Sequence, residues 1–273
     1  MARRPPSPLA VLLRAAALLA ALPLIACIYA IYGHFCDLAL LLPLFPRRRR
    51  VIATRLAEHW GGTIFRLGTS IGGARVTLRG QLPPPSSRPL LVVANHQSLL
   101  DIPVLFHLCR GHRPRFVLKR ELRWGIPNVS PGTRAAAFAF VDRRPQRRPH
   151  NRAALQRFAD LLVEDGAVGV IFPEGTWEPE GRPLPFKPAG LRALLAGARF
   201  DVVPVVIDGT HRAQTFGDFL RRLGDLSITV VVGPVIPAAE TADVDALLIQ
   251  LEAQLAVTMD GIRRASPEAA EPF

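Results

Sequence analysis

Acidic residues, cysteines and aromatic residues are all scarce in this chain. Of its 273 residues, 22 are Asp or Glu against 34 Lys or Arg, so the formal net charge is +12. The three cysteines form no CxxC pair, which gives no indication of a disulfide framework or a cysteine metal site. Aromatic residues make up only 7%, and no zinc-finger, helix-turn-helix or RNA-recognition motif accompanies the basic charge. The composition therefore favours an anionic membrane surface or an anionic small molecule over nucleic acid as the partner.

Charged residues are also missing from a long stretch near the N-terminus. Between Arg14 and Asp37, residues 15–36 contain no Asp, Glu, Lys or Arg. A helix needs about 20 apolar residues to cross a bilayer, and this stretch reaches that length. We therefore predict that residues 1–46 form a membrane anchor, with the following domain at the cytoplasmic face of the inner (plasma) membrane.

Three arrangements of this apolar stretch compete. It could form one spanning helix, or a shallow hairpin that breaks at Pro23 and keeps both basic ends on the cytoplasmic side. The third arrangement is a signal cleaved before Cys27, where the residues LIAC resemble a lipoprotein cleavage box. Because the apolar stretch continues past Cys27 and four arginines follow at 47–50, anchorage is favoured over cleavage. The span and the hairpin both remain open.

The rest of the chain alternates between strand and helix patterns. Such alternation predicts an α/β fold, with a layered mixed sheet flanked by helices over residues 47–264. The final residues, 265–273, read as a flexible tail. Helices are predicted at 51–67, 98–108, 152–165, 190–199 and 244–264, and strands at 74–78, 90–94, 115–118, 135–141, 166–173, 201–207 and 226–232.

A serine-hydrolase motif appears at residues 68–72, which read GTSIG. The nucleophile elbow that carries GxSxG needs a strand before it and a helix after it. Here a helix pattern precedes and a strand pattern follows. A catalytic role for Ser70 is therefore rejected in favour of a glycine-rich turn.

The stretch LVVANHQSLLD, residues 91–101, ends a buried strand on a histidine. Ligands of open α/β sheets bind at the carboxyl ends of the strands, which is where His96 is expected. A neutral imidazole accepts a proton at physiological pH, and a carboxylate on its other nitrogen fixes the tautomer. Asp101 is close enough in sequence to supply that carboxylate without any metal. The alternative is that Asn95 or Ser98 caps the next helix and His96 is only a turn residue.

Polar residues also follow other predicted strands. One strand ends at Arg143, and arginine suits bidentate contact with phosphate. The alternative for Arg143 is an exposed basic loop. Two more strands end at Glu174 and Asp208, each followed by glycine. Polar groups at several strand ends indicate one shared site at one edge of the sheet.

Four blocks, NHQSLLD, AFAFVDRR, FPEGT and VVPVVIDG, occur in this order from about residue 90 to residue 209. The set resembles the glycerolipid acyltransferases typified by bacterial 1-acyl-sn-glycerol-3-phosphate acyltransferase. The resemblance implies acyl transfer from acyl-CoA or acyl carrier protein to the free hydroxyl of a lysophospholipid at a membrane, without a cofactor or a metal. It implies His96 as the catalytic base and Asp101 as its partner. It also implies acceptor binding by Arg143, Glu174, Gly175, Thr176, Lys119 in the KREL segment and Lys187 in the FKPAG segment.

One position departs from the family pattern. The family often has arginine after FPEGT, whereas this chain has Trp177. If a phosphate ligand is missing there, Arg182 or Arg144 could replace it. Alternatively, the acceptor is not 1-acyl-sn-glycerol-3-phosphate but another lysolipid, such as lyso-ornithine lipid.

Two other functions compete with acyl transfer to a lipid. An esterase or thioesterase would use the same base with water as the acceptor, which leaves the basic residues idle. A non-enzymatic protein that binds anionic lipid at a membrane would use the basic residues and leave the histidine idle.

Overall fold

A computed structural model describes residues 7–40, 45–85, 88–126, 129–241 and 243–265. Its body is a seven-stranded mixed sheet with helices on both faces, as the alternating pattern predicts. The strands are β1 (Arg75–Arg79), β2 (Leu90–Ala94), β3 (Arg115–Lys119), β4 (Ala139–Val141), β5 (Gly169–Ile171), β6 (Asp201–Asp208) and β7 (Ser227–Val232). The helices are α1 (Pro8–Leu40), α2 (Pro46–Arg66), α3 (Asp101–Leu108), α4 (Ser130–Ala135), α5 (Arg148–Asp165), α6 (Pro188–Gly197), α7 (Phe216–Arg221) and α8 (Val244–Ala265).

The strand order is β1-β7-β6-β2-β5-β3-β4. Every neighbouring pair is parallel except β6 with β7, which is antiparallel. The five strands from β6 to β4 therefore run in one direction. Their carboxyl ends lie along one edge of the sheet, so the segments that follow β2, β3, β4, β5 and β6 meet there.

Strand β2 lies at the centre of the sheet and of the core. All five of its residues are buried, which is the expected environment of a continuous apolar run. Leu91 and Val93 pack with α5, α6 and α8 on one face of the sheet. Val92 and Ala94 pack on the other face, in the cluster that includes residues of α1, α2, α3, α4 and α7. This period of two follows from the pleat of the strand.

A buried ion cluster joins α2, β3 and α5. Asp165 accepts hydrogen bonds from Arg50 Nε at 2.7 Å and from Arg115 Nη2 at 2.6 Å. Arg115 also donates to Thr54 Oγ1 at 3.0 Å. The sequence suggested only a basic flank at residues 47–50, but Arg50 is buried and binds inside the domain.

Helix α1 is continuous from Pro8 to Leu40 and passes through Pro23. The hairpin alternative, which needs a break at Pro23, is therefore not what the structure has. Leu18 in the first half of the helix is 1% exposed and belongs to the main core, with Val11 and Ala15 packed beside it. Over the ranges that the structure describes, no helix has both the length and the apolarity needed to traverse a bilayer.

One predicted strand is shorter in the structure. The strand predicted at 135–141 begins only at Ala139, because Pro131 stands in the first turn of α4 and Ala137 leaves that helix with φ of 57°.

Ser70 lies in a π-helical turn, Leu67–Ile71, that extends α2 towards β1. This helix-to-strand order is the reverse of a nucleophile elbow. Ala265 ends α8, and the rest of the predicted tail lies outside the described residues.

The ion cluster gives a stability prediction. Replacing Asp165 with Ala would leave Arg115, which is fully buried, without its carboxylate. Removing one partner of a buried pair typically costs about 3–5 kcal/mol, and we expect urea denaturation to show a loss of this size. Glu164→Ala is the matched control, because that carboxylate also binds Arg50 but is 52% exposed. It should cost no more than about 1 kcal/mol. Equal losses in the two variants would contradict the structural role of the cluster.

Candidate active site

Asn95 extends the pairing of β2 and β6 by one residue through its side chain. Its Nδ2 donates to Ile207 O at 2.8 Å, and its Oδ1 accepts from Ile207 N at 2.7 Å. These two hydrogen bonds hold the chain in register with β6 at the point where it leaves the sheet. The next residue, His96, therefore lies at the sheet edge. Helix α3 has no side-chain cap at its first position. Asn95 is bound to β6 and does not cap that helix. Ser98 Oγ accepts from Leu100 N at 3.1 Å, in the turn that leads into α3.

The carboxylate of Asp101 is fully buried and accepts four hydrogen bonds. Three donors reach Oδ2: His96 Nδ1 at 2.7 Å, Gln97 N at 2.6 Å and Ser98 N at 2.9 Å. Thr210 Oγ1 donates to Oδ1 at 2.5 Å. Because a carboxylate accepts, Nδ1 of His96 carries its proton towards Asp101 and Nε2 is left as the proton acceptor. The structure thus brings the two predicted catalytic residues together with the polarity that base catalysis needs.

Two aromatic rings hold the His96 imidazole. The ring stacks on Phe172, with centroids 4.1 Å apart and planes inclined by 17°. Trp177 meets it edge-on, with centroids 5.1 Å apart. The His96 side chain is consequently only 11% exposed. The imidazole can turn little in this slot, which preserves its alignment with Asp101.

Three cations surround the same edge of the sheet. The pKa of Lys119 is lowered by partial burial and by the positive charges of Arg143 and Lys187. The Lys119 ammonium also lies over the Trp177 ring, 5.1 Å from its centroid. Within the described parts of the chain, none of these three cations forms an ion pair with a carboxylate. Glu121 offsets part of the charge at Lys119, but cations that no carboxylate pairs directly are suited to an anion.

The two arginines that could replace a cation at position 177 are bound elsewhere. Arg144 forms an ion pair with Asp142 at 2.7 Å. Arg182 pairs with Glu180. Both guanidinium groups thus already have a carboxylate partner, and replacement of the missing cation by either arginine stays a prediction.

Gly175 shapes the turn that follows β5. Its φ of +68° suits glycine, and a Cβ there would lie 3.4 Å from Lys187 Nζ. Lys187 N donates to Pro173 O at 2.8 Å, which ties the FKPAG segment to the FPEGT turn. Thr176 follows, half-buried. The FPEGT block and the FKPAG segment are thus in direct contact.

Glu174 lies behind the His96 backbone and is only 1% exposed. Its Oε1 accepts from His96 N at 3.4 Å, while no group of the described chain bonds to its Oε2. Burial, with a smaller effect from the charge of Asp101, raises its pKa to about 8. Glu174 is therefore largely protonated at neutral pH. Its predicted contact with an acceptor stays a prediction.

Sequence reasoning missed two features of this edge. Thr210 follows the noted Asp208-Gly209 pair, and its hydroxyl could have been recognised as one more polar group after a strand. The second feature is an apolar cavity of about 490 Å³, which the sequence could not reveal because residues distant in sequence form it. Leu99, three residues after His96, and Leu118, directly before Lys119, line it, as do Trp60, Phe106 and Phe219.

Residues 75–208 match the model of a family described as Acyltransferase. This range is a domain of the acyltransferase family. The matched range covers the pair His96–Asp101, the three cations and all four blocks up to Asp208.

Curated relatives and one solved structure agree with the family. A 1-acyl-sn-glycerol-3-phosphate acyltransferase of Chlamydomonas reinhardtii is 34% identical over 194 residues, which are 69% of this chain and 55% of that protein. The human 1-acyl-sn-glycerol-3-phosphate acyltransferase alpha is 34% identical over 169 residues, 60% of this chain and 56% of that protein. The chain thus spans just over half the length of these relatives. The crystal structure of the 1-acyl-sn-glycerophosphate acyltransferase PlsC of Thermotoga maritima shares the fold, with a TM-score of 0.65, 24% identity and coverage of 93% and 95% of the two chains.

The buried glutamate of this acyltransferase-family site gives a pH prediction. The folded protein holds a proton on Glu174 up to about pH 8, whereas the ordinary pKa is 4.5. A raised pKa in the folded state stabilises the fold fully below the unfolded value, and this contribution is lost as pH rises through the folded value. The wild-type melting temperature should therefore fall between about pH 5 and pH 8 relative to Glu174→Gln, which has no such proton to lose.

The control for this measurement is Glu121→Gln, which removes an exposed carboxylate. Its melting temperature should follow that of the wild type across the same pH range. Parallel curves for the wild type and Glu174→Gln would mean that Glu174 is ionised in the fold.

Proposed function

We propose that the chain transfers an acyl group from an acyl thioester, acyl-CoA or acyl carrier protein, to the free hydroxyl of a lysophospholipid. The leading acceptor is 1-acyl-sn-glycerol-3-phosphate, which gives phosphatidic acid. The observation that carries the proposal is the meeting of three environments at one sheet edge: the His96–Asp101 pair, an apolar cavity and a group of cations. The names of the relatives support the same reaction.

His96 acts as the general base in this reaction. Its Nε2 takes the proton of the acceptor hydroxyl while Asp101 stabilises the imidazolium through Nδ1. The hydroxyl oxygen attacks the thioester carbonyl and forms a tetrahedral oxyanion. Collapse of this intermediate breaks the carbon–sulfur bond, and the proton passes from His96 to the departing thiolate. General-base help of this kind is typically worth about 10²–10⁴-fold.

The apolar cavity suits an acyl chain. Leu99, three residues after the base, lines it, together with residues of α2, α3, α4 and α7 and of the strands and connecting segments beside them. Transferring a methylene group from water into such a site contributes about 0.8 kcal/mol. A chain held there would keep its carbonyl carbon near the His96 slot, which supplies the alignment that a bimolecular step lacks.

The cations Lys119, Arg143 and Lys187 suit the phosphate of the acceptor. Phosphate carries up to two negative charges, and three nearby positive charges without a carboxylate partner favour it over a neutral or zwitterionic headgroup. Trp177 supplies no charge, but its ring holds the Lys119 ammonium. The three cations together support 1-acyl-sn-glycerol-3-phosphate over lyso-ornithine lipid as the acceptor.

Membrane association completes the proposal, since both the acceptor and the product are lipids. Several side chains on α1 are large, apolar and more than half exposed, which is unusual unless such a surface meets a partner or a lipid phase. They are Leu9, Leu12, Leu13, Leu19, Leu24, Ile28 and Ile31. The arginines that begin α2 favour retention of the domain on the cytoplasmic side of the membrane.

The two competing functions find less support. A thioesterase would leave the three cations without a purpose, since water carries no phosphate. A protein that only binds lipid would not require the four hydrogen bonds that fix Asp101 against His96. The acyltransferase proposal uses all of these groups.

Purified protein in detergent should transfer labelled acyl groups to 1-acyl-sn-glycerol-3-phosphate faster than to lysophosphatidylcholine or lyso-ornithine lipid, with acyl-CoA and acyl carrier protein tested as donors.

Arg143→Ala should raise the acceptor KM roughly tenfold or more and change kcat little, because a hydrogen bond to a charged group contributes about 1.5–3 kcal/mol.

Arg199→Ala is the control, since Arg199 is an exposed arginine beyond α6. It should leave the KM unchanged. An Arg143→Ala variant with a wild-type acceptor KM would exclude the proposed phosphate contact. Transfer to another lysolipid only would keep the chemistry and change the acceptor.

A further inference from the structure

Thr210 contacts Asp101 from the side opposite His96. It is fully buried and begins a short 3-10 turn directly after β6. Its Oγ1 lies 2.5 Å from Asp101 Oδ1, the oxygen that His96 does not use. We propose that Thr210 is a positioning residue, whose hydroxyl fixes the Asp101 carboxylate in the orientation that supports His96. The kinetic part of this inference rests on the proposed acyl transfer.

The hydroxyl proton of Thr210 has two nearby acceptors. Besides Asp101 Oδ1 at 2.5 Å, Gln97 Oε1 lies at 3.3 Å. A hydroxyl has one proton, and the closer carboxylate oxygen is the stronger acceptor. Gln97 Oε1 is already served by Gly209 N at 3.1 Å. The proton of Thr210 therefore goes to Asp101.

The two oxygens of Asp101 are supported unequally. Oδ2 accepts from three groups of the loop at residues 96–98, whereas Thr210 is the one donor to Oδ1 within the described residues. Without the hydroxyl, Oδ1 would be buried and unpaired, which is costly. A rotation of the carboxylate that lets both oxygens share the donors of the loop would then be energetically favourable. Such a turn would lengthen or misalign the bond to His96 Nδ1.

Gln97 holds the segment that carries Thr210. Its Nε2 donates to Asp208 Oδ1 at 3.0 Å and to Gly181 O at 3.1 Å, while its Oε1 accepts from Gly209 N. The reverse amide orientation would set two donors against each other at Gly209. Gln97 is next to His96 in sequence. The loop that carries His96 therefore contacts Asp101 and also the segment that carries Thr210.

Two further contacts keep this segment in place. Arg263 at the end of α8 donates to Asp208 Oδ1 at 3.0 Å and to Gly181 O at 2.7 Å. Gly209 has φ of +103°, and a Cβ there would lie 2.1 Å from Ser227 O, so only glycine fits. Thr210 is thus presented by a rigid frame rather than by a free loop.

The test compares Thr210→Val, which keeps the shape and removes the hydroxyl, with Thr210→Ser, which keeps the hydroxyl. Thr210→Val should lower kcat for acyl transfer about 10- to 100-fold, a part of the roughly 10²–10⁴-fold that a base supplies. The KM for the acceptor should stay within about twofold, because phosphate and acyl contacts are elsewhere. Thr210→Ser should recover most of the lost rate.

Thr54→Val is the control for general loss of stability. Thr54 is also fully buried, and its hydroxyl bonds to Arg115 and to Arg50 O on the far side of the domain. This variant should lower the unfolding midpoint and leave kcat unchanged. A loss of kcat in Thr54→Val that matches Thr210→Val would overturn the positioning role.

A second readout does not need activity. The imidazole ¹⁵N shifts of His96, assigned with His96→Ala, report which ring nitrogen carries the proton. We expect the Nδ1–H tautomer in the wild type and Thr210→Ser, and a mixture of tautomers in Thr210→Val. An unchanged tautomer and kcat in Thr210→Val, or a Thr210→Ser variant as slow as Thr210→Val, would refute the inference. If the wild type transfers no acyl group while the tautomer changes as expected, only the proposed function fails.

Discussion

The buried carboxylate of Asp101 is the constraint on which the site depends. A carboxylate removed from water needs hydrogen-bond donors, and here they come from two separate segments, the loop after β2 and the turn after β6. Those segments meet because β2 and β6 are parallel neighbours in the sheet. The requirement to satisfy one charge therefore fixes the shape of the loop, the orientation of His96 and the position of Thr210 together.

The same strand arrangement brings three different environments into contact. Strand β3 ends at Lys119, β4 is followed by Arg143, and the turn after β5 is held against Lys187. Apolar residues that include Leu99, after His96, and Leu118, before Lys119, line the cavity. Under the proposed function, an anionic head and an apolar chain of the substrates would bind in these chemically different regions. The order of strands in the sheet is thus what makes the site amphipathic.

The sequence was informative where the signal is local and less so where contacts are distant. The boundaries of β2 and the pairing of His96 with Asp101 follow from apolar runs and from five residues of spacing, and both appear in the structure. The inward turn of Arg50 and the bond from Thr210 to Asp101 join residues more than 100 positions apart. No local pattern encodes such contacts. Trp177 was visible as a departure from the family, but its packing between His96 and Lys119 required the fold.

The most direct test of base catalysis is the rate of acyl transfer to 1-acyl-sn-glycerol-3-phosphate by a folded His96→Gln variant, measured beside the wild type at saturating substrates. Glutamine keeps a polar side chain of similar size but cannot take up a proton at neutral pH. A base role for His96 predicts a fall in kcat of about 10²-fold or more in a variant that remains folded. A rate close to that of the wild type would contradict it and would move the chemistry to another group at this edge.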